Sequence, residues 1–207
     1  MSVLFALEII GTVAFAVSGA IVGMRKKMDL LGVAMLGMTT ATGGGLLRDL
    51  MLSITPPAVF QKPILAVTAI GVSFMVFFRP RDAAAEPKGT GQDKLLLLMD
   101  SIELGLFTVL GVRTAQETVA GANAFLVTFI GVLTGVGGGL LRDLFAGNTP
   151  YIFVKHFYAC ASIIGAWFCI LLWPQAGSFA AQLVGALLIV LLRLLAARFR
   201  WSLPKAG

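Results

Sequence analysis

The chain has 207 residues, 58% of them hydrophobic and 13% charged, against about 45–50% and about 25% in an ordinary soluble domain. That composition excludes a soluble globular protein, and at roughly 20 apolar residues per bilayer span the length allows about seven spans with no room for a separate catalytic domain. The net charge of +6 would suggest nucleic acid in a soluble chain, but here most of the 16 Lys and Arg stand in short gaps between apolar runs, where they set topology and meet anionic lipid; no nucleic-acid partner is expected.

In chain order, apolar runs predict transmembrane helices over residues 3–23, 30–52, 60–79, 95–114, 121–146, 151–173 and 177–198. The first lacks a basic leader and a small-residue cleavage site, so it is expected to be an uncleaved span. One sizeable polar insert, Arg79 to Lys94, rich in Pro, Gly and charge, follows the third run and reads as a linker. Basic clusters follow span one (Arg25, Lys26, Lys27), surround the linker (Arg79, Arg81, Lys88, Lys94) and follow span seven (Arg198, Arg200, Lys205). With seven spans all three lie on one side. The positive-inside rule makes that side cytoplasmic, with the N-terminus outside and the C-terminus inside. The other side offers only Lys62 and Arg113. Trp173 and Trp201 fit an aromatic belt, whereas Trp167 lies deeper and is expected to pack against protein.

Cys160 and Cys169 share one apolar run and stand about 13 Å apart along a helix, too far for a disulfide. With one histidine, His156, and no zinc spacing, no metal or cofactor is expected. His156 and Lys155 open span six and read as interfacial residues. Neither a P-loop nor a nucleophile–base–oxyanion arrangement occurs, so no enzymatic activity is expected.

The chain repeats itself. Gly43 to Leu50 reads GGGLLRDL, and Gly137 to Leu144 reads the same 94 residues later. At that offset Thr55-Pro56 matches Thr149-Pro150, Gly37 matches Gly131 and Thr40 matches Thr134; with a two-residue slip Phe15, Val17 and Gly19 match Phe107, Val109 and Gly111. Three spans per half force the second half to enter the membrane inverted. The predicted fold is therefore an all-α integral membrane protein of seven transmembrane helices, two inverted three-helix repeats plus one C-terminal helix. Residues 1–80 form the first repeat, 81–94 the linker, 95–174 the second repeat, and 175–207 the seventh helix with a basic tail.

The repeated segment carries the chemistry. Three consecutive glycines weaken a helix, and Gly43, Gly44 and Gly45 in span two, with Gly137, Gly138 and Gly139 in span five, predict a helix break at membrane depth in each half. Such paired breaks point to a permeation or binding site; the alternative is close helix packing through small residues. Arg48, Asp49, Arg142 and Asp143 are ionisable residues within spans, which face a bundle interior or aqueous cavity and pair there. Neighbours on a helix do not face one another, so crossed pairs are expected, Arg48 with Asp143 and Arg142 with Asp49. Asp100, Glu103 and Glu8 are alternative partners, and interfacial charges locking the structure one turn past the glycines are the other reading. Thr39, Thr40, Thr42 and Thr134 precede the glycines and offer oxygens to a partly dehydrated cation, or bond to their own helix.

The doubled GGG-x-x-R-D with its Thr-Pro, the E-x-x-G-T-x-A-F-A-x-S-G-A segment from Glu8 to Ala20, and D-x-x-x-L-G-L-F-x-x-x-G from Asp100 to Gly111 resemble the prokaryotic trimeric intracellular cation (TRIC) channels over nearly the whole chain. The resemblance implies a homotrimer in the bacterial inner membrane with one ion path per protomer, permeable chiefly to K+, which passes as the permeant ion and not as a cofactor. Carried over, the kinked second and fifth spans flank the pore and spans one and four complete it. The expected path thus comprises Thr40, Thr42, Gly43 to Gly45, Arg48, Asp49, Asp100, Thr134, Gly137 to Gly139, Arg142 and Asp143. Animal members bind phosphoinositide through a Lys-Glu-Val motif, which this sequence lacks. The same bacterial domain has also been labelled a glycine transporter, so a secondary transporter of a small neutral solute stands as the alternative.

Overall fold

The computed structural model describes residues 3–79, 91–154 and 157–201. Regular structure among them is wholly helical: α1 Val3–Arg25, α2 Leu30–Met51, α3 Ala58–Gln61, α4 Pro63–Phe77, α5 Gly91–Thr118, α6 Ala124–Phe145, α7 Tyr151–Val154 and α8 Tyr158–Phe199. Five of these (α1, α2, α5, α6 and α8) are long and apolar enough to cross a membrane. The linker's Arg81 and Lys88, the tail's Lys205, and Lys155 with His156 lie outside the described residues.

Local chemistry explains the boundaries. Asp29 caps α2 by accepting from the Gly32 amide at 2.7 Å, and Asn123, its equivalent 94 residues later, caps α6 through the Leu126 amide at 2.8 Å; each satisfies an amide that a helix start leaves unpaired. The third predicted run divides at Lys62, whose φ −123 and ψ 71 suit a residue forced out of the helical region by the following proline. The sixth and seventh runs form α8, interrupted at Gly177 with φ 79 and ψ 164. Straight, 42 residues would reach about 63 Å, twice the hydrocarbon core. Instead the chain doubles back. A side chain on Gly165 would meet the Gly185 carbonyl at 3.1 Å, and one on Gly185 would meet the Cys169 Cβ at 3.0 Å, so the arms are antiparallel about Gly177.

The Gly177 conformation is open essentially to glycine alone. Gly177→Ala is expected to cost about 1–3 kcal/mol, read as a lowered thermal midpoint of the purified protein, although no atom lies within 4 Å of the added methyl.

Two apolar clusters form the interior. One gathers Leu104, Val112, Ile130, Tyr158, Ala166 and Ile189 from α5, α6 and α8; the other gathers Phe15, Ala16, Ala41 and Ala69 from α1, α2 and α4, closed by Phe107 of α5. The inner face of the first α8 arm consists of small residues, Ala161, Ser162, Gly165, Ala166 and Cys169. Trp167 falls off that stripe and is 44% exposed on the outer face of the single chain, so it does not pack within its own protomer. Both cysteines are free.

Small residues set the close approaches. A Cβ on Gly19 would meet the Gly37 Cα at 2.8 Å, and one on Gly111 would meet the Gly131 Cα at 2.9 Å, so α1 lies on α2 as α5 lies on α6. At the centre α2 and α6 cross antiparallel, Gly44 against Thr134 and Gly138, and Gly138 against Thr40 and Phe15.

Candidate functional site

The helix break expected at the glycines is not found. α2 and α6 run through Gly43–Gly45 and Gly137–Gly139 as single helices. Contact, rather than unwinding, explains the glycines: a Cβ at Gly44 would strike the Thr134 carbonyl, and one at Gly138 would strike the Thr40 carbonyl and the Phe15 ring. Removing both side chains brings two backbones together, as in small-residue membrane crossings. Gly137 shares the contact, since a Cβ there would lie 3.0 Å from the Gly44 Cα, whereas one on Gly45 or Gly139 would have more room, with nearest atoms at 3.9 and 3.4 Å. The threonine hydroxyls also turn inward to the helix. Thr40 donates to the Leu36 carbonyl at 2.6 Å, Thr42 to Met38 at 2.9 Å and Thr134 to Ile130 at 2.6 Å, the four-residue back-bond open to a mid-helix threonine.

The crossed ion pairs are not formed either. Arg48 folds back onto Asp49, with Nε at 2.8 Å and Nη2 at 2.7 Å from one carboxylate oxygen; Arg142 reaches Asp143 through Nε at 2.9 Å. Adjacent residues can pair here because they sit in the last turn of their helices, where the aspartate leans outward to cap the next segment. Asp49 accepts from the Ala58 amide at 2.7 Å, opening α3, and Asp143 accepts from the Tyr151 amide at 2.9 Å, opening α7. The R-D and Thr-Pro elements of the repeat are thus one device, an arginine-braced aspartate that caps a short returning helix.

The two halves differ beyond that device. In the first, Lys62 meets Glu8 at 3.3 Å. In the second, Arg142 also donates to the Ser18 hydroxyl at 2.5 Å and to Asp100 at 3.4 Å, while Arg193 of α8 reaches the other Asp100 oxygen at 3.1 Å and stacks on the Tyr158 ring at 4.5 Å. Asp100 further accepts from the Tyr158 hydroxyl at 3.4 Å. The alternative partners Asp100 and Glu103 therefore do gather at Arg142, and Glu8 does not. Arg193, fully buried, was not foreseen as a site residue; its signal is a lone arginine within an otherwise apolar span, which rarely stands there without a partner.

Two cavities open beside the charged pairs. One of about 50 Å3 is lined by Glu8, Thr12, Thr42, Gly45, Asp49 and Lys62; the other, of about 470 Å3, is lined by Val22, Arg25, Asp100, Arg142, Asp143 and Thr149. Glu8 and Val22 sit about 21 Å apart along α1, so the cavities lie towards opposite ends of the bundle. Phe107, which also lines the smaller cavity, meets its repeat-related counterpart Phe15 edge-on at 4.8 Å.

A protein-family model described as Glycine transporter matches residues 5–81 and, a second time, residues 97–174. A UPF0126 membrane protein of Deinococcus radiodurans is 39% identical over 96% of this chain and 89% of its own length. The UPF0126 inner membrane protein YadS of Escherichia coli is 34% identical over 96% of this chain and 93% of its own. The crystal structure of a TRIC trimeric intracellular cation channel orthologue from Rhodobacter sphaeroides superposes with a TM-score of 0.87 at 32% identity, covering 97% of this chain and 100% of that one.

Proposed function

The chain belongs to the family that the Glycine transporter model describes, and from that premise we propose that it is a monovalent-cation channel conducting K+. The observation that carries the reading is the pair of cavities at opposite ends of the bundle, one lined by Asp49 at the end of α2 and the other by Asp143 at the end of α6, within a fold shared with a TRIC cation channel. The ion path follows α1, α2, α5 and α6, past Thr42, Gly45, Arg48 and Asp49 on one side and past Asp100, Gly139, Arg142 and Asp143 on the other. It narrows where Thr40, Gly43, Gly44, Thr134, Gly137 and Gly138 pack. Each Asp beside its own Arg gives attraction without net charge, as conduction requires binding weak enough to release the ion.

The protomer is read as seven spans: α1, α2 and α4, then α5, α6 and the first arm of α8 as the inverted repeat (95–174), then the second arm. The doubling back at Gly177 and the antiparallel crossing of repeat-related helices support that count. The protein is further read as a homotrimer in the lipid of the bacterial inner membrane, its N-terminus outside and its C-terminus cytoplasmic. Against the solute-carrier alternative stands the state of the helix starts. Unbroken α2 and α6 offer no half-helix amides after the glycines to hold a carboxylate, and the first amides of α3 and α7 already donate to Asp49 and Asp143.

The test is single-channel recording in planar bilayers under a KCl gradient, with Asp49→Asn/Asp143→Asn alongside. Discrete steps reversing near the K+ potential, several-fold smaller in the variant, are expected. Silent bilayers from folded protein, with saturable glycine uptake into liposomes, would overturn the reading.

A further inference from the structure

Among the described residues, the second buried cluster holds more carboxylates than guanidiniums. Among the described buried residues, Asp100, Glu103 and Asp143 contribute three carboxylates and Arg142 and Arg193 two guanidiniums. Asp100 takes both arginines and Tyr158; Asp143 takes Arg142 and the Tyr151 amide. Glu103 is different. It is 0% exposed, and neither of its oxygens makes a hydrogen bond among the described residues. The nearest guanidinium nitrogen, Arg142 Nη1, stands 3.8 Å away, within Coulomb reach but beyond hydrogen-bond distance.

We propose that this cluster binds one proton per protomer, on the Glu103 carboxylate. An ionised carboxylate buried without a hydrogen bond carries a large desolvation cost, which protonation removes. The added O–H is then a donor, and Asp100, three residues earlier on the same face of α5, supplies the acceptor. A metal cation is the poorer counter-charge, because it needs several oxygen ligands beside the Arg142 guanidinium. The proton comes from water in the cavity that Asp100 and Arg142 line. Among the described residues, the charged and titratable groups of this cluster are Asp100 on α5, Arg142 and Asp143 on α6, and Tyr158 and Arg193 on α8. From α1 the Ser18 hydroxyl reaches the cluster through Arg142, and the Arg48–Asp49 pair of α2 belongs to the other cluster.

Arg142 couples this proton to the proposed path. Its Nη1 holds Ser18 of α1 at 2.5 Å, and an ionised Glu103 would compete for the same nitrogen, loosening α1 beside the larger cavity. This coupling rests on the channel reading; the proton itself does not.

Infrared spectroscopy of the lipid-reconstituted protein near neutral pH, in H2O and D2O, tests the proposal. A protonated-carboxyl band is expected in the wild type, shifted by D2O, shifted again by 13C-glutamate labelling, and absent from Glu103→Gln. Labelled wild type keeps the test decisive should the variant not fold. Absence of a label-sensitive carboxyl band overturns the proposal, as does a K+-dependent rise in thermal midpoint seen in the wild type and lost in Glu103→Gln, which would assign the counter-charge to the metal ion. Currents whose pH dependence disappears in Glu103→Gln are the expected functional counterpart. Silent bilayers would sink the channel reading while leaving the spectral result intact.

Discussion

Alanine at Gly138 is expected to prevent stable folding, whereas alanine at Gly139, one residue on, is expected to leave the thermal midpoint close to wild type. At Gly138 the new methyl has no space. The Thr40 carbonyl and the Phe15 ring atoms lie on it, the latter at 2.6 and 2.8 Å, and the first of these is backbone that moves only if α2 moves. Gly44→Ala meets the Thr134 carbonyl in the same way. Overpacking a well-filled interior costs about 1–3 kcal/mol, occasionally more, and here two central helices must part. At Gly139 the nearest atom is the Tyr158 hydroxyl at 3.4 Å, and at Gly45 it is the end of the Arg48 side chain at 3.9 Å. Both are ordinary contacts, and alanine is the better helix former. Detergent-solubilised yield and thermal midpoints of the four alanine variants decide the matter. If Gly45→Ala and Gly139→Ala fall with the other two, the glycines are needed for backbone freedom and the contact explanation fails.

That contrast also shows what could be read before the structure. The apolar runs and the 94-residue repeat follow from hydropathy and self-similarity, and α1, α2 and α6 begin and end within three residues of the runs 3–23, 30–52 and 121–146, since a bilayer enforces length and burial. What three glycines do is not legible from one chain in isolation, because a glycine that frees the backbone and one that admits a neighbouring backbone look alike until the partner helix is present. The arginine–aspartate pairs fail for a related reason. The rule that helical neighbours diverge holds in a helix interior, but both pairs sit in a last turn, where Asp49 and Asp143 turn towards the amides of Ala58 and Tyr151. Arg193 was legible, as a charge in an apolar run, but its partner was not. Only the hairpin at Gly177 brings the second arm of α8 back to Asp100.

Asp100 is where the three helices of the second cluster depend on one side chain, and Asp100→Ala is expected to be severely destabilising. Its two oxygens serve Arg193 at 3.1 Å, Arg142 at 3.4 Å and the Tyr158 hydroxyl at 3.4 Å, so truncation removes one acceptor from three buried donors. Arg142 retains Asp143 and Ser18; Arg193 keeps the Tyr158 ring but loses the carboxylate. Removing one partner of a buried ion pair costs about 3–5 kcal/mol, because the remaining charge is left uncompensated, whereas replacing the pair by apolar groups of similar volume is often near neutral. The sign of the coupling follows. Asp100→Asn/Arg193→Met is expected to be less destabilised than the sum of its single variants and more stable than Asp100→Ala, since the guanidinium that Asp100 holds leaves with its partner. Thermal unfolding of the four proteins forms the double-mutant cycle. Additive losses would mean that Arg193 is stabilised by its stacking on Tyr158 rather than by Asp100, and that α8 is tied to α5 by packing alone.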